Sequence, residues 1–97
     1  MMNDTHRKIA RAAQRHGWLL TYRSSDRWEY AKEAVRVRVE WSASGSVARA
    51  QRWTVTRAGD KHFRRVHPGD IGKSDKVVAL LARATTTPGT TVASTKP

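Results

Sequence analysis

The chain has 97 residues, no cysteine, and nineteen Lys and Arg against eight Asp and Glu, for a formal net charge of +11. That length holds one domain with a modest core, and the absence of cysteine excludes disulfides and thiolate metal sites. The positive field favours polyanions, whether DNA, RNA, an anionic membrane or an acidic protein, and the thirteen arginines among the nineteen cations suit forked contacts to phosphate and carboxylate.

The first element reads as a helix. Asn3, Asp4 or Thr5 can cap it and Gly17 can end it, while Ile9, Ala12, Ala13 and His16 follow the i, i+3, i+4, i+7 spacing of a thin apolar stripe. Arg7, Arg11 and Arg15 recur every fourth residue on another face with Lys8 beside them, a basic ridge that is either a solvated face or a contact surface. After Gly17 the period changes to alternation. Trp18, Leu20 and Tyr22 share one parity, Ser24-Ser25-Asp26 supplies turn chemistry, and Arg27–Ala31 returns as a second strand. Residues 34–41, AVRVRVEW, form the clearest strand, with Val35, Val37, Val39 and Trp41 on one face and Arg36, Arg38 and Glu40 on the other.

Ser42-Ala43-Ser44-Gly45 makes the next hairpin loop. In Val47–Thr56, Ala48 and Ala50 suggest one inward face and Trp53 and Val55 the other, which a bulge near Gln51 reconciles. Residues 57–73 are polar and contain Gly59, Pro68, Gly69 and Gly72, the composition of a long loop. Ser74 then caps a second helix, Asp75 to about Thr85, with Val77, Leu80, Leu81 and Ala84 as its stripe. Residues 86–97 are Thr-rich, too poor in apolar groups to fold alone, and read as a disordered tail after a single domain of residues 1–85. The expected fold is α+β: helix, a three- or four-stranded antiparallel meander, helix, in two layers with both helices on one sheet face.

Helix, meander, helix is the order of the double-stranded-RNA-binding domain and of HicA-type toxins, small messenger-RNA interferases. The stretch Ile9–Tyr22, IARAAQRHGWLLTY, with its Gly17-Trp18 junction, resembles HicA-like proteins. Those toxins carry a catalytic His on the strand after the first turn, where Ser24–Tyr30 here has none, so the resemblance implies a fold without the ribonuclease activity. The RNA-binding domain places lysines at the start of its second helix, positions matched here only by Lys73 and Lys76. In its Arg-rich, Cys-free, Ala/Thr-heavy style the chain also resembles short proteins of actinobacterial phages.

Other motifs give little chemistry. "GDIGKS" at 69–74 has His67 where a phosphate-binding loop needs its first Gly, and reads as loop plus helix cap. His62 and His67 with Asp60 and Asp70 match no metal-ligand spacing, so no metal and no cofactor are expected. Trp18 and Trp41 fit the core by parity; Trp28 or Trp53, if outward, would stack on a base or anchor a partner. No apolar run approaches the roughly 20 residues of a membrane span, and Met1–Lys8 lacks the apolar stretch of a signal peptide, so no membrane contact and a cytoplasmic location are expected.

The leading expectation is a non-enzymatic nucleic-acid-binding protein, for DNA or RNA, that contacts phosphates through Arg7, Lys8, Arg11, Arg15, Lys73 and Lys76. An alternative surface comprises Arg36, Arg38, Arg52, Arg64 and Arg65. The alternative function is a phage-type interaction module that binds an acidic host protein. The helix ridge and the open sheet face should lie on opposite sides of the domain.

Overall fold

The computed structural model describes residues 3–56 and 59–83, and over 60–63 the backbone alone. The expected tail at 86–97 lies outside the described residues. Helix α1 spans Asp4–Arg15 and helix α2 spans Lys73–Ala82. Between them run β1 (Leu19–Arg23), β2 (Arg27–Lys32), β3 (Val35–Trp41), β4 (Val47–Thr56) and β5 (Gly59–Val66). The strands form one antiparallel meander in the order β1-β2-β3-β4-β5. The fold is therefore the expected α+β order with five strands rather than three or four.

Asn3 is the cap of α1. Its Oδ1 accepts from the His6 backbone N–H at 2.8 Å, and His6 Nδ1 accepts in return from the Asn3 backbone N–H at 3.4 Å. Asn3 Nδ2 also donates to the Gly45 carbonyl at 2.9 Å, which ties the start of α1 to the β3–β4 hairpin. The helix ends at Gly17, whose φ of +80° suits a residue without Cβ.

Both helices pack on one face of the sheet. Ile9, Ala12 and Ala13 of α1 and Val77, Leu80 and Leu81 of α2 join Trp28, Tyr30, Val35, Val37, Val39 and Trp41 in one core. The small residues of α1 admit close approach of α2, and His6 fills the remaining gap, its ring 5.1 Å from Trp28 and 4.2 Å from Trp41. Trp28 is thus a core residue, and so are Trp18 and Trp41. Fully burying a Val or Leu side chain contributes about 1.5–3 kcal/mol, so the three buried valines of β3 alone fix which way that strand faces.

Three local expectations are corrected. The supposed loop at 57–73 contains β5, which pairs with β4 from Thr56↔Gly59 to Ala50↔Val66. The bulge of β4 lies at Ala48 rather than near Gln51, because Glu40 pairs with Arg49 and Trp41 with Val47. Helix α2 starts two residues earlier than expected, with Gly72 at its cap (φ +67°) and Ser74 inside the first turn. The entry to α2 is instead organised by Asp70, whose Oδ2 accepts from the His67 N–H at 2.9 Å, and by Lys73, which donates to the Pro68 carbonyl at 3.0 Å.

Candidate nucleic-acid interface

The register decides which side chains share the uncovered face of the sheet. A bulge at Thr21, where Leu20 pairs with Tyr30 and Tyr22 with Glu29, reverses the parity of β1. Leu20 therefore stays on the helix side while Tyr22 joins Leu19 on the open side, so the expected common parity of Leu20 and Tyr22 is overturned. One cross-strand row then reads Tyr22, Glu29, Arg38, Gln51, Arg65. The next reads Leu19, Ala31, Arg36, Trp53, and a third reads Arg27, Glu40, Arg49.

Neighbours in these rows hold one another. Glu29 accepts from Arg38 at 3.2 Å and forms an ion pair with Arg27 at 3.1 Å, and Glu40 pairs with Arg49 at 3.4 Å. The Arg27 guanidinium lies over the Tyr22 ring at 4.4 Å, and that of Arg38 over Trp53 at 5.6 Å. Arg36 donates to the carbonyls of Glu33 and Val35, at 2.9 and 3.0 Å. Five arginines face two glutamates here, an excess of three positive charges on a surface with two aromatic rings. A shallow hollow of about 330 Å³ lies at the β5 side of this face, between Arg38, Arg49, Gln51 and Arg65.

Arg52 does not belong to this surface, contrary to expectation. It shares the inward parity of Ala50, is only 8% exposed, and donates through Nη1 to the carbonyls of Leu80 at 2.5 Å and Arg83 at 3.3 Å. Trp18 Nε1 donates to the intervening Leu81 carbonyl at 2.8 Å, and the Arg52 guanidinium lies 5.8 Å from the Trp18 ring. Two sheet-side residues thus satisfy the carbonyls that the last turn of α2 leaves without helical partners. Burial lowers the Arg52 pKa, as do the charges of Arg83 and Arg64. Arg64, which pairs with Arg52 across the strands, also faces the helix side.

The set expected on the helices is divided. Arg7, Lys8, Arg11 and Arg15 line one groove of about 410 Å³ against Val78 of α2. Two of its four cations meet carboxylates: Arg7 pairs with Asp4, and Lys8 with Asp75. Lys73 is folded back on the 68–70 turn. Lys76 lies in a different groove, of about 340 Å³ between β5 and α2, with Arg64, Arg65 and Arg83. It is 3.7 Å from Asp70, whose carboxyl is held below the usual carboxylate range first by the His67 N–H and also by Lys76.

Among the described residues no group of three His, Asp or Glu converges as a metal site would, and the side chains of Asp60 and His62 lie outside the description. No described helix is long and apolar enough to cross a membrane. Inspection of the sequence overlooked Tyr22, Arg27 and Arg49 on the open face and Arg83 beside α2. Arg49 was recoverable from the parity of Val47 and Ala50 once a bulge lay between them; Tyr22 carried no such signal. No protein-family model matches the chain, and no curated protein or solved structure matches it.

Proposed function

We propose that the protein binds single-stranded nucleic acid on the open face of its sheet, with Arg36, Arg38, Arg49 and Arg65 meeting phosphates and Tyr22 and Trp53 stacking on bases. The observation that carries this reading is the placement of two aromatic rings among five arginines on a sheet face that no described element covers. Aromatic stacking contributes about 1–3 kcal/mol per base and tolerates any sequence, while arginine serves the backbone. The α1 ridge offers phosphate contacts alone, and Asp4 and Asp75 offset half of its charge. The reading is one of binding without a chemical step, in a cytoplasmic setting.

Fluorescence anisotropy with labelled single strands and duplexes tests it. Four phosphates met on a single strand give a log–log salt slope of about −3. Arg36→Glu with Arg38→Glu should abolish single-strand binding, and Arg11→Glu with Arg15→Glu should leave it intact. The opposite pattern, with preference for duplex, moves the interface to α1 and refutes the sheet.

A second reading, an acidic protein partner, is favoured by β1. Leu19 is 67% exposed on this edge strand, Leu20 41% and Tyr22 43%, so an extended segment can add a strand beside it while the arginines meet carboxylates. A one-to-one complex in a pull-down that survives nuclease treatment would favour that reading.

A further inference from the structure

The groove between β5 and α2 differs from the α1 groove in how its charge is balanced. Arg64, Lys76 and Arg83 line it, with Arg65 at its rim and the methyl of Ala79 on its wall. No ion pair among the described residues involves Arg64 or Arg83. Asp70, which sits by Lys76, is already engaged by the His67 N–H. Beneath the groove lies Arg52, pinned by the carbonyls of Leu80 and Arg83 and unable to move away from its neighbours. Several cations therefore converge on one groove beside the buried Arg52, an arrangement that an anion relieves.

The groove is also joined to the open face. Arg65 borders both this groove and the hollow lined by Arg38, Gln51 and the Glu40–Arg49 pair, so a track of net positive charge crosses the β5 edge from one side of the sheet to the other. We infer that the β5–α2 groove is a second phosphate-binding site, which takes the continuation of the single strand bound on the open face. This rests on the sheet-face reading and extends it: the ligand is a single strand long enough to turn over the β5 edge. A stiff duplex on the flat face does not make that turn.

The test compares labelled oligothymidines of about 5 and about 15 nucleotides, which span the range that single small domains occupy. Wild-type protein should bind the longer oligomer more tightly. Arg64→Gln with Arg83→Gln should remove that advantage, leave the short oligomer bound as before, and reduce the salt slope on the long one by about 1.4, two phosphates at about 0.7 each. Lys76→Gln, on an exposed turn of α2, is the second variant should the double variant melt early. An unchanged long-oligomer affinity and salt slope in variants that melt like wild type overturns the groove. If Arg36→Gln with Arg38→Gln loses both oligomers while the groove variants lose neither, the sheet reading stands and the groove alone falls. Wild-type protein that binds neither oligomer refutes both.

Discussion

Replacing Arg52 by Met tests whether a buried guanidinium stabilises this fold or burdens it. Met keeps much of the apolar stem and removes every donor. The Leu80 carbonyl, beside a residue 7% exposed, then lacks its charged partner at 2.5 Å, a loss of about 2 kcal/mol for a buried acceptor left unsatisfied. The Arg83 carbonyl, bonded at 3.3 Å on an exposed residue, regains water, and its share is about 0.5 kcal/mol. Removing a cation from the negative end of α2 costs about 0.5 kcal/mol more. Against these stands relief of the Arg52 charge's burial, the larger cause, and of repulsion from Arg83 and Arg64, together about 1 kcal/mol at the effective dielectric of a partly wet site. The balance is about 2 kcal/mol of destabilisation, a fall in Tm of about 8–16 °C for a domain of this size. Circular dichroism melts at neutral pH measure it directly. Arg52→Lys should fall between the two, since one ammonium cannot span both carbonyls with a fork's geometry. An Arg52→Met protein that melts at or above the wild-type temperature refutes the reasoning, because burial and repulsion would then outweigh the capping bonds.

Two further outcomes follow from the core. Burial against Trp28 and Trp41, with the charge of Arg23, holds the His6 pKa below its ordinary value of 6.5, so below pH 6.5 the unfolded chain takes up the proton first. Stability from this group is complete above pH 6.5 and is lost as pH falls below it; His6→Gln, which keeps the capping box, should flatten that part of a denaturant-midpoint profile against pH. Burial raises the Tyr30 phenol to about 12, so at alkaline pH stability should decline between pH 10 and 12, and Tyr30→Phe should remove the decline. At Gly45, φ is +87° and a Cβ would collide with the Asn3 amide that caps α1. Gly45→Ala should cost about 2 kcal/mol, about 1 from the left-handed backbone and about 1 from the cap, and combining it with Asn3→Ala should cost less than the sum in urea titrations.

How much was legible varied with the burial each element requires. Strand β3 was plain because it is central, and each of its four inward residues is buried, so alternation was complete. Helix α1 was plain because its cap and stripe are local features. Strand β5 was not, since it is an edge strand on which, among the described side chains, only Val66 is buried, and Arg64 on the helix side is exposed. Its backbone pairs with a ten-residue β4, and a charged sequence carries no trace of that pairing. The bulges of β1 and β4 were another obstacle. Thr21 and Ala48 each shift parity by one, yet neither residue type marks a bulge, and a one-residue slip moves every later side chain to the opposite face. Arg52 and Tyr22 were therefore placed on the wrong sides.

The consequence reaches the site itself. With Arg52 withdrawn beneath α2 and Arg27, Arg49 and Tyr22 added, the open face gains a pattern that the arginines of β3 alone did not have. Glu29 and Glu40 pair with three of the five guanidiniums, which restrains them before any ligand arrives and leaves a moderate surplus of charge. Side chains already ordered lose less entropy on binding, so a modest net charge in fixed positions can favour one polymer over another where a mobile surplus cannot. The two rings stand three strand spacings apart, about 14 Å, too far to stack on one base or on immediate neighbours in a compact stack. An extended strand reaches both rings with phosphates over the arginines between them. The five-stranded sheet therefore matters to the proposed activity for its width: β5 carries the basic track to an edge that it can cross.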